Sequence, residues 1–306
     1  MINIKKLLPR NIRGEIMYSL AFLPDEMYIR LFYYVTTGRK LNLKKPVTFE
    51  DKQQWLKLHD RKEKYHELVD KYAVRKHIKA VIGEQYSFPL IGHWARFEDI
   101  DFNSLPESFV IKCNHDSGSV RVIKNKSALT KKDIEDLRKH FNKRLKRDFY
   151  YAGREYPYKG VKPCILIEKY MTDGKQELSS LNDYKFFCFH GVPRIVLIVT
   201  DRATDCRYDF YDMDFNHLDL RYGKGRDDDK IQKPEFFDEM KEVAVKLSKG
   251  IPFVRMDLYE VDGQVYFGEY TFFDGGGFQF LEPEKWEYKM GSWIKLPIEK
   301  KSTERC

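Results

Sequence analysis

The chain of 306 residues has few cysteines, and their arrangement excludes two common kinds of site. The five cysteines stand at positions 113, 164, 188, 206 and 306, and no two of them form a C-x-x-C pair. Disulfide frameworks use an even set of cysteines, and structural zinc sites use closely spaced cysteine pairs. Neither kind of site is expected, and a reducing cytoplasm fits this composition best.

A long apolar run is also missing from the sequence. No segment approaches the roughly 20 apolar residues that a membrane-spanning helix needs. The N-terminal text MINIKKLLPRNIRGEIMYSLAFLPDEMY looks like a signal peptide only superficially, because its apolar part is short and no small-residue cleavage site follows. We expect a helix packed on the domain; a basic, partly apolar helix lying on a membrane surface is the alternative.

The stretch FVIKCNHDSGSVRVI, residues 109–123, lacks both common phosphate-loop motifs. It is neither a Walker A loop, since no Gly-Lys-Ser/Thr follows and the next element is a strand, nor a GxGxxG motif. Its small residues Ser117 to Ser119 would let a backbone flap cover phosphate groups, and Lys112 would add a compact positive charge. An ordinary surface hairpin is the favoured interpretation of this segment taken alone.

The chain is rich in charge and in aromatic rings. Hydrophobic residues make up 42% and aromatic residues 15%, which excludes a disordered chain. The net charge is +8, which favours an anionic partner such as a nucleotide, a nucleic acid, an acidic glycan or a membrane surface. The length suggests two domains, or one domain with lobes.

Periodicity predicts an α+β protein. Residues 11–80 are mostly helical in pattern, and short β-rich runs then alternate with single helices. Hairpins are predicted at His190-Gly191 and at Asp262-Gly263. Because the βαβ rhythm of a Rossmann sheet is absent, we expect antiparallel sheets.

Two acidic residues of the strand pair FVRMDLYEVDGQVYFGEYTFF are candidate metal ligands. A two-residue turn at Asp262-Gly263 would put Asp257 and Glu269 on opposite faces. A three-residue loop with Gly263 as a bulge would put them on one face, with Arg255 beside Glu269. Two buried carboxylates on one face need a cation between them, and Mg²⁺ shared with phosphates is suitable. The alternative is a surface hairpin whose charges face water.

Two other segments have features of ligand contacts. Three successive glycines, Gly275 to Gly277, favour a backbone that approaches a ligand or donates N–H groups to a carboxylate; a loose turn is the alternative. The strand LIEKYM ends in Glu168 and Tyr170, which suits a purine ring, with Asp173 near a ribose. Many strands end in this way, so the second signal is weak by itself.

The order of these features resembles the ATP-grasp fold, and within it the teichuronopeptide-biosynthesis-type (TupA-like) family. The segments that carry the resemblance are KPVTFEDKQQWLKLHDR, LVDKYAVRKHI, FVIKCNHDSGS, GREYPYKGVKPCILIEKYM, DYKFFCFHG, FVRMDLYEVDGQVYFGEYTF and WIKLP. The resemblance implies two α+β lobes whose antiparallel sheets sandwich ATP, preceded by a helical region. The implied divisions are a helical region at 1–85, a lobe with the phosphate flap at 86–172 and a lobe with the metal site at 173–306.

The resemblance also implies roles for residues at matching positions. Contacts to ATP are implied for Lys71, Lys112, Asn114, His115, Ser117, Gly118, Ser119, Glu168, Lys169, Tyr170 and Asp173. Binding of Mg²⁺ is implied for Asp257, Glu269 and Thr271. Catalytic roles are implied for Lys185, Arg255, Gly275, Gly276 and Gly277. The aromatic and basic segment DFYYAGREYPYKG adds candidate substrate contacts, with an ordered loop as the alternative: Arg154, Tyr156 and Tyr158, together with Arg202.

Two positions depart from the family pattern. Thr271 stands where the common metal strand has Asn, and a hydroxyl is a weaker metal ligand. Asp116 stands in the flap where glycine is more usual, and its charge would be unfavourable beside a triphosphate unless it points away. The lysines and the two carboxylates are retained, so we expect an active enzyme.

The function that the resemblance implies is an ATP- and Mg²⁺-dependent carboxylate–amine ligase. Its expected substrates are a uronic acid or other carboxylate, on an acidic or lipid-linked glycan, and an amino acid or amine. Such chemistry belongs to cell-surface polysaccharide biosynthesis, in capsule or teichuronopeptide formation. The enzyme is expected in the cytoplasm, with peripheral contact to the inner face of the membrane and without a nucleic-acid partner.

Two other functions compete with this interpretation. A glycosyltransferase that uses a nucleotide sugar would also need Mg²⁺, and the DMD tripeptide at 212–214 matches its short metal motif, although the Rossmann-like start is missing. A non-catalytic nucleic-acid or glycan-binding protein would explain the basic charge and the aromatic residues. It would not explain why Asp257 and Glu269 should be held together.

Overall fold

The computed structural model describes residues 10–171, 181–200, 206–221 and 231–298, with side chains from residue 15 onward. The helices are α1 (Arg10–Ser19), α2 (Asp25–Thr37), α3 (Phe49–His59), α4 (Lys64–Val69), α5 (Val74–Val81), α6 (Lys131–Leu145), α7 (Tyr150–Gly153), α8 (Phe237–Ser248) and α9 (Lys285–Trp293). The strands are β1 (Leu90–Trp94), β2 (Phe109–Cys113), β3 (Arg121–Ile123), β4 (Ile165–Lys169), β5 (Asp183–Phe189), β6 (Val192–Thr200), β7 (Arg207–Tyr211), β8 (Phe253–Val261) and β9 (Gln264–Thr271).

The strands form two antiparallel sheets, as the sequence pattern predicts. The smaller sheet has the order β1-β4-β2-β3, and the larger has the order β7-β6-β5-β8-β9. Both predicted hairpins are present, because β5 pairs with β6 across His190-Gly191 and β8 pairs with β9 across Asp262-Gly263. Helix α6 covers the smaller sheet and α8 covers the larger one, each through an apolar face. The α+β class is therefore confirmed.

Local signals explain where two of the helices begin. Helix α6 starts with a capping box, in which Thr130 and Asp133 bond each other's backbone N–H groups. Its Leu137 and Phe141 lie one turn apart and are buried against the smaller sheet. Helix α3 begins at the predicted cap, where the Thr48 side chain accepts a bond from the Asp51 N–H at 3.1 Å. Among the described residues, every helix is too short or too polar to cross a bilayer.

Helix α3 is unusual because its polar side is buried as well as its apolar side. Phe49 and Leu56 belong to the core of the larger sheet. Lys52 is also buried, and its ammonium donates to the carbonyl of Ile294 at 2.8 Å. Burial of a charge is costly unless the charge is hydrogen-bonded, so these contacts fix the helix in place. The N-terminal helical region is therefore joined to the core of the larger sheet by apolar contacts and to the segment after α9 by a hydrogen bond.

The β8–β9 hairpin has a two-residue turn. Asp262 and Gly263 both have positive φ, at 50° and 75°, as a type I′ turn requires. Such a turn by itself would place Asp257 and Glu269 on opposite faces of the sheet. The predicted three-residue loop with a bulge at Gly263 is therefore wrong.

A bulge further along β9 restores the pairing. Leu258 pairs with Phe267, whereas the neighbouring Asp257 pairs with Glu269, so Gly268 is the extra residue. A side chain cannot easily replace its hydrogen, because a Cβ there would lie 2.9 Å from the carbonyl oxygen of Asp257 and 2.7 Å from the ring of Tyr259. The bulge thus puts the two carboxylates directly opposite each other.

We predict that Gly268→Ala destabilises the protein. The added Cβ would push apart two strands in the middle of the hairpin, and overpacking of this kind costs about 1–3 kcal/mol of the free energy of unfolding. Denaturant-induced unfolding followed by circular dichroism measures the change. An unfolding midpoint equal to that of the wild type would show that the backbone can move aside and that the register does not depend on this glycine.

Candidate active site between the two sheets

A cleft of about 450 Å³ opens between the two sheets, a size that suits a small-molecule ligand. Strands β2 and β4 supply one wall, and β5, β8 and β9 supply the other. The apolar lining includes Phe88, Val110, Val122, Met171, Leu181 and Tyr259. The charged lining consists of Lys71, Lys112, Asp116, Glu168, Lys169, Lys185, Asp257 and Glu269. Most of the charged residues named from the sequence therefore meet in one place.

On the smaller sheet, Lys112 and Glu168 form an ion pair across adjacent strands. The Lys112 Nζ lies 2.6 Å from the Glu168 Oε2, and the Arg75 Nη1 lies 3.9 Å from the other carboxylate oxygen. Both members of the pair are largely buried. Two cations thus face one carboxylate at the wall of the cleft, which leaves this wall with a surplus of positive charge.

Lys71 links the flap to the larger sheet. Its Nζ donates to the backbone carbonyl of Asp116 at 2.7 Å and lies 3.4 Å from the Glu269 Oε2. Its backbone N–H donates to the carbonyl of Asn114 at 3.1 Å. The segment just before α5 therefore fixes both the flap and the Glu269 carboxylate.

The flap at 114–119 is held mainly by its own polar side chains. The Asn114 side chain accepts the N–H of Cys164 at 2.7 Å, and the Ser119 hydroxyl accepts the N–H of Cys113 at 2.9 Å. The His115 ring is buried between Asn114 and the carbonyl of Arg144. Of the flap residues named from the sequence, Ser117 and Gly118 line the cleft itself.

Asp116 does not leave a free negative charge in the flap. One of its carboxylate oxygens accepts the Ser119 hydroxyl at 2.5 Å, and the other lies 3.2 Å from the Arg144 Nε. Arg144 also donates to the carbonyl of Ser117 at 3.0 Å. The expected conflict between Asp116 and a bound phosphate is thereby reduced, because the carboxylate is already neutralised from α6.

On the larger sheet, Asp257 lies between two cations. The Lys185 Nζ is 2.5 Å from its Oδ2, and Arg255 donates to both of its oxygens at 2.7 Å. Asp257 is 2% exposed. Burial by itself would raise the pKa of this carboxyl, but the charges of Arg255 and Lys185 outweigh burial and lower the pKa to about 2.

The candidate metal ligands adjoin this group. Asp257 faces Glu269 across the β8–β9 pair, and Thr271 faces Arg255, to which its hydroxyl is bonded at 3.2 Å. Within the described ranges, no three His, Cys, Asp or Glu residues cluster as a metal site. Two carboxylates and a hydroxyl nevertheless fit Mg²⁺, which commonly takes one or two protein carboxylates and completes its shell with phosphate oxygens and water.

The three glycines form a tight loop whose φ angles are all positive: 56°, 68° and 66°. The N–H of Gly276 donates to the carbonyl of Phe273 at 2.9 Å, so it is engaged within the loop. The carbonyl of Gly276 accepts the Lys57 Nζ at 2.5 Å, and that of Gly277 accepts the Gln54 side chain. Helix α3 therefore holds this loop through its buried polar side chains.

Asp274 joins the glycine loop to the ion pairs of the larger sheet, because its carboxylate accepts a bond from Arg255. A continuous chain of contacts then runs from Lys185 through Asp257 and Arg255 to Asp274. Its first member lines the cleft and its last begins the glycine loop.

The model of one protein family, described as TupA-like ATPgrasp, matches residues 51–295. The chain belongs to the TupA-like ATP-grasp family. This assignment confirms the fold and the enzyme class, an ATP-grasp ligase, that the sequence motifs imply.

Two solved ligase structures are similar to this chain at low sequence identity. The D-alanine–D-alanine ligase from Bacillus anthracis is 15% identical, over 77% of this chain and 70% of that chain, with a TM-score of 0.42. The ATP-grasp ligase PsnB, complexed with a minimal precursor, Mg and ADP, is 13% identical over 74% of this chain and 60% of that chain, with a TM-score of 0.37. No curated protein matches the chain.

In this TupA-like protein, several residues that the sequence predicts as ligand contacts lie outside the cleft. Arg154 is fully buried, donates to the carbonyls of Leu20 and Leu23 at 2.9 and 3.2 Å, and packs on the ring of Tyr28. Its prediction as a substrate contact is corrected, because its guanidinium is enclosed by the N-terminal helices.

The two tyrosines of the same segment differ in burial. Tyr156 bonds Glu63 at 2.6 Å in an exposed position, whereas Tyr158 is buried in the core of the larger sheet. At the end of β4, Lys169 lines the cleft and Tyr170 is partly exposed. Asp173 and Arg202 lie outside the described residues.

The short DMD motif is part of a turn. Asp212 accepts the N–H groups of Asp214 and Asn216 at 3.0 and 2.8 Å. Its carboxylate is therefore used to shape the loop after β7, which removes the sequence feature that favoured a glycosyltransferase.

Sequence reasoning missed Lys57, Gln54 and Glu155. The first two lie on α3, and a signal existed in its sequence, FEDKQQWLKLH, where polar residues occur all round the helix. Burial lowers the pKa of Lys57 to about 8, although Glu155 opposes this shift. Glu155 follows Arg154 in the segment GREYPYKG, where no local sequence signal distinguishes it from its neighbours.

We predict that Arg154→Met lowers stability without acting on the cleft. The backbone carbonyls of Leu20, Ala21 and Leu23 would lose their donor, which should reduce the free energy of unfolding by about 2–4 kcal/mol. Arg138→Met, on the exposed face of α6, is the control and should change it by about 0.5 kcal/mol or less. Urea denaturation measures both. Unchanged stability of Arg154→Met, combined with impaired substrate use, would restore Arg154 as a substrate contact.

Proposed function

We propose that this protein is an ATP- and Mg²⁺-dependent ligase that joins a carboxylate to an amine through an acyl phosphate. The observation that carries the proposal is the convergence of Lys71, Lys112 and Lys185 on the cleft that also holds the opposed carboxylates Asp257 and Glu269. Three cations suit a triphosphate, and a carboxylate pair suits the metal that accompanies it. Positioning and charge neutralisation are the main contributions that a protein makes to phosphoryl transfer.

Lys112 and Lys71 would contact the phosphates of ATP beneath the Ser117–Gly118 backbone. Both ammonium groups face carboxylates in the structure, at 2.6 Å for Lys112 and 3.4 Å for Lys71. An entering phosphate oxygen would compete with these carboxylates for the same donors. The adenine would lie against the apolar lining near Val110 and Met171, at the end of β4.

Asp257, Glu269 and Thr271 would hold Mg²⁺. When bound, the ion would supply positive charge that stabilises the phosphates of ATP during the transfer. Lys71 and Lys185 contact the same two carboxylates, at 3.4 Å from Glu269 and 2.5 Å from Asp257, and so hold both of them in place before the metal binds.

Arg255 would act where the two substrates react. In the first step the acceptor carboxylate forms an O–P bond with the γ-phosphorus, and ADP leaves. The amine then forms a C–N bond with the acyl carbon as the C–O bond to phosphate breaks, and the amine loses a proton. Arg255 is fixed by Asp257 and Asp274 and would stabilise negative charge in both steps. The N–H groups of Gly275 and Gly277 would orient the carboxylate.

The substrates we propose are a uronic acid of a cell-surface glycan, or its lipid-linked precursor, and an amino acid. The net charge of +8 suits an acidic glycan, and the resemblance to the teichuronopeptide-type proteins supports this class. The reaction would belong to capsule or teichuronopeptide synthesis, in the cytoplasm, and would involve no nucleic acid.

The experiment that tests the ligase is release of ADP from ATP and Mg²⁺ across a panel of uronic acids and amino acids. We expect ADP release to require both a carboxylate and an amine. Asp257→Asn should lower kcat by about 100-fold or more, since it removes a metal ligand and frees two cations. Asp136→Asn, on the exposed side of α6, is the matched control and should behave as the wild type.

Hydroxylamine provides a second readout because it traps an acyl phosphate as a hydroxamate. Hydroxamate formed from a uronic acid and ATP would establish the activated intermediate without the natural amine. Hydrolysis of a nucleotide sugar by folded protein that does not consume ATP would contradict the ligase and favour a glycosyltransferase.

We also propose that α2 rests on the anionic inner face of the membrane, where a lipid-linked acceptor would lie. Met27, Leu31 and Tyr34 form one exposed apolar stripe on this helix, and Phe22, just before it, is 78% exposed. The exposed lysines of the following segment complement an anionic surface: Lys40, Lys44 and Lys45.

This contact predicts co-sedimentation of the protein with vesicles that contain phosphatidylglycerol. Phe22→Ser combined with Leu31→Ser should weaken binding by about tenfold or more, because two apolar side chains would no longer be buried in the lipid. Val245→Ser, which changes an exposed residue of α8, is the control. Equal binding by all three proteins, or no binding by the wild type, would contradict the proposed contact.

A further inference from the structure

Glu155 lies where α7, the glycine loop and helix α3 meet. Its Oε1 is so close to two glycines that an added Cβ would lie 2.9 Å away at Gly153 and 3.6 Å away at Gly276. Lys57 bridges the same two glycines, because its Nζ donates to the carbonyls of Gly153 at 2.9 Å and Gly276 at 2.5 Å. Glu155 therefore lies against the loop that is proposed to hold the acceptor carboxylate.

Nearby carboxylates each have a cation, and Glu155 differs from them. Asp257 is paired with Lys185 and Arg255, Asp274 with Arg255, and Glu269 with Lys71. In the part of the chain that the structure describes, no donor lies within hydrogen-bond distance of the Glu155 carboxylate. The side chain is only partly exposed, so this carboxylate has lost some hydration without gaining a hydrogen bond, and Lys57 acts on it only through space.

The surrounding charges favour a visiting cation. Burial raises the pKa of Glu155 to about 7, and Lys57 acts in the opposite direction. The charges of Glu269 and Asp274 raise the pKa of Glu155 further, while the charge of Arg255 lowers it. The pKa of this carboxyl therefore depends on charges from α3, the larger sheet and the glycine loop. A cation placed beside Glu155 would stabilise its ionised form and reduce the repulsion from the other two carboxylates.

The established contacts of Lys57 do not explain Glu155 fully. The ammonium of Lys57 is directed at two backbone carbonyls and lies 4.3 Å from the centre of the Phe278 ring. It therefore supports the glycine loop by direct bonds, and Glu155 contributes only through space. A role limited to balancing the charge of Lys57 would not explain why the Glu155 carboxylate, which is partly exposed, lies against the glycine loop.

We propose that Glu155 binds the ammonium group of the acceptor amino acid and holds its nitrogen beside the glycine loop, next to the acyl carbon. This inference rests on the proposed ligase function and adds its amine subsite. An α-amino group is largely protonated at neutral pH, so a carboxylate is the natural partner for it. The Glu155 Oε1 lies beside Gly276, in the loop that begins at Asp274, and Asp274 is bonded to Arg255, so the subsite adjoins the end of the ion-pair chain that begins at Lys185.

The first test is amino-acid retention by the full-length protein. Wild-type protein is loaded with a non-hydrolysable ATP analogue and Mg²⁺, dialysed against an equimolar mixture of the common amino acids, and the retained amino acids are identified by mass spectrometry. We expect one amino acid or a small class to be retained. Glu155→Gln should weaken its retention by about tenfold or more, because a charge-assisted hydrogen bond is lost.

Two further variants sharpen this test. Glu155→Asp keeps the charge and should recover part of the binding, whereas a purely structural role in packing would not be recovered in this way. Glu63→Gln removes an exposed carboxylate bonded to the adjacent Tyr156 and should bind as the wild type does. Equal retention by Glu155→Gln and wild type, or no amino acid retained by the wild type, would overturn the proposal.

A kinetic comparison separates this inference from the ligase itself. Hydroxylamine is uncharged at neutral pH and needs no carboxylate to receive it. In Glu155→Gln, the ratio of amino-acid-dependent to hydroxylamine-dependent turnover should fall by about tenfold or more. An unchanged ratio would overturn the amine subsite. Absence of hydroxamate with wild-type protein would count against the ligase function, while the retention result would still decide whether Glu155 binds an amino acid.

Discussion

The carboxylate of Asp257 is almost completely buried, and the structure of the site depends on the two cations that neutralise its charge. A buried carboxylate without partners would be strongly destabilising. Lys185 from β5 and Arg255 from its own strand supply the partners at 2.5 to 2.7 Å. Because Arg255 also bonds Asp274, the position of the glycine loop depends on the same charge.

Helix α3 extends this dependence to the N-terminal part of the chain. Its Lys57 and Gln54 bond the carbonyls of the glycine loop from the other side. The loop is thus fixed between Arg255 at its start and α3 along its length. An N-terminal helix therefore contributes to the proposed acceptor side of the cleft, although it belongs to neither sheet.

The lysines and carboxylates of the cleft are paired with one another before any ligand enters. Lys112 faces Glu168, Lys71 faces Glu269 and Lys185 faces Asp257. Such pairs hold the charged groups in place. If a polyanion bound with its metal, the lysines and carboxylates would exchange partners. The phosphates would contact the lysines, and the metal would contact the carboxylates of β8 and β9. The charge balance of the cleft would change little.

The sequence by itself determined the class of fold, the hairpins at His190-Gly191 and Asp262-Gly263, and the residues of the cleft that are carried on strands. These signals are local: periodicity, turn residues and motif order act over a few positions. Only the tertiary structure determined the register of β8 and β9 and the contacts between segments that are distant in sequence. The pairing of Asp257 with Glu269 follows from a bulge at Gly268, since one extra residue on one strand changes the register without leaving a periodic trace. The enclosure of Arg154, and the meeting of Glu155 with the glycine loop, depend on contacts between segments far apart in sequence.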